Sequence, residues 1–81
     1  MGTVTTLEKM KAGEKVIVRN IRGGCGLRRR LGNLGIHPDD RLDVIRSGFF
    51  GGPLMIRVHG VEIGLGRGMA EKIEVETEGG L

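Results

Sequence analysis

The stretch GGPLMIRVHGVEIGLGRGMAEKIEV, residues 51–75, holds three apolar alternations separated by short glycine-bearing or polar connections. Leu54, Ile56 and Val58 alternate, then Val61, Ile63 and Leu65, and, beyond RGMAEK, Ile73 and Val75. A period of two sends one face of each segment into a core and the other toward water. Gly60 and the RGMAEK bend leave little chain between these strands, too little for the helical crossover that a parallel pair needs.

Upstream the same logic gives two more strands. EKVIVRNIR alternates at Val16 and Val18 and changes phase at Ile21; RLDVIRSG puts Leu42 and Val44 on one face. Between them the period changes. In CGLRRRLGNLG, Leu27, Leu31 and Leu34 fall on one stripe of a short helix that Gly35 ends. Pro38 stops any continuation, and Asp39 and Asp40 suit the turn. At the start, Thr5 and Glu8 match a capping box opening a short helix through LEKMK, closed by Gly13. The expectation is a mainly β domain: a small antiparallel barrel of about five strands, one short helix after the first strand, and short helical turns. One domain fills 1–81, with a core over about 6–76 and a tail at 77–81.

Composition narrows the function. Glycine is 16 of 81 residues and punctuates apolar runs, which suits tight turns. One cysteine rules out an intrachain disulfide framework and fits a reducing, cytoplasmic setting. No uninterrupted apolar run exceeds three residues, far short of the ~20 of a membrane helix, so neither a secretory signal nor membrane insertion is expected. A net charge of +3 permits an acidic partner without demanding one.

RRRLGNLGI and the 51–75 stretch, in this order after TLEKMKAGEKVIV, resemble the ferrous-iron transport protein A (FeoA) family over roughly residues 6–76. Arg30-Leu31, Leu34-Gly35-Ile36 and Pro38 carry the first part of the likeness. Gly52-Pro53, Val58, Gly60, Ile63, Leu65, Ala70, Ile73 and Val75 carry the second. The resemblance implies an SH3-like barrel in a small cytosolic protein that works beside a FeoB-type ferrous-iron permease with a GTP-hydrolysing cytosolic part. It also implies an alternative, since iron-dependent repressors carry the same fold as a regulatory domain. That alternative needs a helix-turn-helix domain, for which a barrel filling this chain leaves no room. One departure stands out: family members carry glycine in the turn after Pro38, where this chain has Asp39-Asp40.

Chemistry finds little to use. Cys25, His37, His59, Asp39, Asp40, Asp43 and Glu62 share no metal-ligand spacing, so no metal site is expected, and His37-Pro38-Asp39-Asp40 reads as a hydrated turn. No lysine precedes Ser or Thr, and GGCGLR lacks the third glycine of a dinucleotide fingerprint, so no nucleotide or other cofactor is expected. Ser47 is the single serine, and no nucleophilic triad is legible. An enzyme is not expected.

Binding remains. Arg19 to Arg30 contains five arginines and no acid. At 100° per residue, Arg28, Arg29 and Arg30 spread over ~200° of the helix; Arg28 and Arg29 are expected to be exposed, with Arg30 against the barrel beside an acid. The chain has no Tyr or Trp, so neither base stacking nor a proline-rich ligand is expected, and no nucleic-acid partner. The candidate contact for a permease is Arg28 and Arg29 with Phe49 or Phe50, adjacent residues that point to opposite sides of an extended chain.

Overall fold

The computed structural model describes residues 4–47 and 52–78. Its elements are β1 (Val4–Thr6), a 3₁₀ turn (Leu7–Lys9), β2 (Lys15–Ile21), α1 (Cys25–Asn33), β3 (Arg41–Arg46), β4 (Leu54–Val58), β5 (Val61–Leu65), α2 (Arg67–Ala70) and β6 (Ile73–Thr77). The strands form one six-stranded sheet in the order β1-β6-β2-β3-β4-β5, antiparallel throughout.

All five alternating segments are strands, and their faces match the apolar pattern. Val16, Val18, Leu42, Val44, Leu54, Ile56, Val58, Ile73 and Val75 are buried. The phase change in β2 is a bulge: the register with β6 shifts between Val18 and Asn20, which returns Ile21 to the core. Among the described residues no polar or charged residue is buried.

Several expectations need correction. The strand number is six, because Val4, Thr5 and Thr6 pair with Glu76, Val75 and Glu74. Three residues without apolar alternation carry no period to read; the edge of β6 makes them a strand. The helix therefore follows the second strand. The capping box does not form, since Thr5 lies in β1 and the cap of the 3₁₀ turn, Thr6, makes no side-chain capping bond. That turn instead tucks Leu7 and Met10 into the core. Nor is the described sheet closed: β1 and β5 are its two edges. On β5 the alternation is only half used, with Leu65 buried, Ile63 partly buried and Val61 58% exposed, because an edge strand is covered from one side only. At the other end, Thr77 and Glu78, read as the start of a tail, are tied in. Thr77 pairs with Val16, and the Glu78 amide donates to the Lys15 carbonyl.

Helix α1 ends as glycine dictates. Gly35 has φ +90°, the left-handed region in which a side chain is strained. The Ile36 amide donates to the Leu31 carbonyl (2.9 Å) and the Gly35 amide to Gly32 (2.9 Å), the paired bonds of a Schellman motif. Ile36 and Leu31, both fully buried, make its apolar contact within the core. Leu34, expected on the inner stripe, is instead the capping residue and 40% exposed. The left-handed step swings the chain, and Ile36 fills the inward position.

Candidate functional site

The turn after α1 is built for its location. The Asp40 amide donates to the His37 carbonyl across Pro38-Asp39, and Asp39 has φ +76°. This is the signature of a type II turn, whose third residue is usually glycine. Asp39 thus takes the glycine conformation with a side chain present; short polar residues tolerate it best. The Asp39 amide donates to the Val18 carbonyl (2.7 Å) and the Val18 amide to the Asp40 carbonyl (2.8 Å), which bolts the turn to β2 beside its bulge.

Bulge, helix and turn together enclose a cleft of about 160 Å³, lined by Asn20, Ile21, Arg28, Ile36, His37 and Pro38. Its volume is about five times the ~30 Å³ of a liquid water, and below the ~300 Å³ at which small-molecule pockets begin. It has room for a side chain. Arg28 stands on its rim with Nε donating to the Ile21 carbonyl (3.3 Å), so its guanidinium is held by the barrel. Of the four residues expected to contact a partner, Arg28 alone is among those lining this cleft. Arg29 is exposed as expected; Arg30 is exposed as well, without the acidic neighbour expected for it. Phe49 and Phe50 lie outside the described residues.

The arginines divide sharply. Arg19 pairs with Glu76 (2.7 Å) and Asp39 (3.3 Å), Arg22 with Glu74 (2.9 Å), Arg41 with Glu78 (3.7 Å) and Arg57 with Glu62 (2.7 Å). Arg28, Arg29 and Arg30 have no acidic partner among the described residues. Arg46 at the end of β3 and Arg67 on α2 are likewise without one, so α1 gathers three of the five un-neutralised arginines among the described residues.

A second polar cluster sits behind the turn. Asp40 accepts from the His37 amide (2.8 Å), lies 3.2 Å from His37 Nδ1 through Oδ2, and 3.1 Å from His59 Nε2 through Oδ1. Partial burial raises the Asp40 pKa, but the His37 hydrogen bonds and the His59 charge outweigh it, so its carboxyl sits below the ordinary 3.8. His59 reaches Asp40 because His59-Gly60 is a two-residue turn with φ +51° and +80°, tying the β4–β5 hairpin to the turn after α1. Sequence spacing could not show this clamp, since its members are 19 residues apart. Among the described residues no group of three or more His, Cys, Asp and Glu is disposed to hold a metal ion. Cys25 is the exposed first residue of α1. No helix among the described residues is long and apolar enough to cross a membrane.

Comparison with known proteins places this architecture. Residues 5–77 match the model of the FeoA domain. A protein of Methanocaldococcus jannaschii, provisionally named Fe(2+) transport protein A, is 47% identical over 66 residues, covering 82% of this chain and 78% of its own. The crystal structure of an iron uptake regulatory protein (FeoA) superposes with a TM-score of 0.85 at 36% identity, over 93% of this chain and 97% of that one. A manganese-dependent transcriptional repressor matches with a TM-score of 0.85, but at 23% identity and over 43% of its own length, a likeness of fold alone. The chain, with its SH3-like fold, belongs to the FeoA family.

Proposed function

We propose that this protein is a non-enzymatic accessory factor of ferrous-iron uptake that acts by docking on the cytosolic part of a FeoB-type permease. Family membership supports the role in iron uptake. The observation that carries the docking is the run of three consecutive α1 arginines that no described acid neutralises; Arg46 and Arg67 are unpaired among the described residues as well but stand singly, while Arg19, Arg22, Arg41 and Arg57 are paired. Unpaired guanidinium groups steer an acidic surface into register and speed encounter. Phe49 and Phe50 are the proposed aromatic anchors of the same contact, supplying desolvated area.

The test is the affinity for the permease's cytosolic region at low and high ionic strength. R29E/R30E alters two exposed side chains that bond to nothing described, so the fold should survive while binding weakens, most at low salt. Phe50→Ala should weaken binding with little salt dependence. A folded R29E/R30E protein that binds as the wild type at both salts would show these arginines to be only a solvated face.

A further inference from the structure

We infer that the cleft between α1, the β2 bulge and the His37–Asp40 turn is a peptide-docking pocket, which takes one aliphatic side chain of an acidic segment of the partner. This deepens the docking reading above and rests on it. Three observations select the occupant. The volume of about 160 Å³ suits a single inserted side chain. The lining pairs an apolar floor of Ile21, Ile36 and Pro38 with a polar rim of Asn20, Arg28 and His37. An aliphatic group enters such a site while the neighbouring backbone and side chains meet the rim.

The third observation is charge. Arg28 Nε is spent on the Ile21 carbonyl, which fixes the group and leaves its terminal nitrogens without a partner among the described residues. A guanidinium held in place loses less freedom when it receives a carboxylate, and binds it in fork geometry. Arg29 and Arg30 continue the same sign along α1, and no acid on α1 opposes them. The complementary segment has Asp or Glu beside the inserted residue. Nucleic acid would meet the same charges, but the chain has no Tyr or Trp to stack bases, and the cleft has an apolar floor where a phosphate groove would be polar.

The experiment uses the full chain, ¹⁵N-labelled, titrated with acetylated and amidated Glu-Glu-Leu-Glu-Glu. Three probes run beside it: Glu-Glu-Gly-Glu-Glu, Lys-Lys-Leu-Lys-Lys and a short single-stranded oligothymidylate. The leucine-glutamate peptide should shift the amides of Asn20, Ile21, Ile36 and His37 and saturate. The glycine and lysine peptides should bind at least ten-fold more weakly. Arg28→Ala should weaken the first peptide about ten-fold. Equal binding of the glycine peptide, tighter binding of the lysine peptide or of the oligonucleotide, or shifts confined to residues outside the cleft would each overturn the proposal. The peptide comparisons need no variant, so an Arg28→Ala protein that failed to fold would leave the test intact. The docking function is separable: if the permease region binds wild type and a folded Arg28→Ala protein equally, the cleft proposal falls and the docking function stands. If the peptide maps to the cleft while the permease region does not bind, the docking function falls alone.

Discussion

Asp40 joins the turn after α1 to a distant hairpin, accepting from the His37 amide within its own turn and facing His59 from the β4–β5 hairpin. Its depressed pKa fixes a sign. Because the folded carboxyl binds a proton less readily than the unfolded one, its contribution is complete above the unfolded value near 3.8 and is lost as pH falls through the lower, folded value. Wild-type melting temperature should therefore decline below about pH 4. Asp40→Asn should be less stable at pH 6, by about 1–2 kcal/mol for hydrogen bonds to a charged group that is 19% exposed, and should lose less on acidification. Parallel acid melting curves for the two proteins would exclude Asp40 as the group that titrates. Asp39, one residue earlier, holds a backbone conformation that favours glycine and adds an exposed pair to Arg19, worth at most about 1 kcal/mol.

Helix α1 is held by one fully buried side chain of its own, Leu31, and by Ile36 just beyond its end. Leu31→Asp would put an unpaired carboxylate among apolar neighbours, at a cost of several kcal/mol, comparable with the whole stability of so small a domain. It should unfold the protein, whereas Leu34→Glu should change stability by no more than about 0.5 kcal/mol, because Leu34 is exposed at the cap. Urea unfolding of both variants decides the matter. Equal losses would mean that Leu34 shares the core, as a simple helical stripe predicts. The stripe was legible at Leu27 and Leu31 because a helix keeps its period. It failed at Leu34 because the left-handed residue Gly35 breaks that period, and the Schellman turn hands the inward position to Ile36.

Across the whole molecule, sheet order sets which strands are sheltered. β6 and β2 have partners on both sides, while β1 and β5 each have one. Amide hydrogen exchange should be slowest at Val16, Val18, Ile73 and Val75 and fastest within β1 and β5. Protection in β5 equal to that in β2 would show that its free edge is covered in solution. The charge pattern follows the same geography. Acids on β6 and beyond it, Glu74, Glu76 and Glu78, neutralise Arg22 just past β2, Arg19 of β2 and Arg41 of β3, while the three arginines of α1 keep their charge.

The sequence by itself determined the five alternating strands, the change of phase in β2, the helix between β2 and β3 and its stop at Gly35. Each is a local matter, decided by side-chain period or by a backbone angle that glycine alone adopts freely. Tertiary structure decided the rest. β1 exists because β6 offers an edge; Val61 is exposed because nothing pairs beyond β5 among the described residues. Asn20, Arg28 and Ile36 line one cleft, and His59 meets Asp40, because bulge, turn and hairpin converge from separate parts of the chain. Such meetings depend on register and on how elements stack, and neither is written in the spacing of residues along one strand or helix.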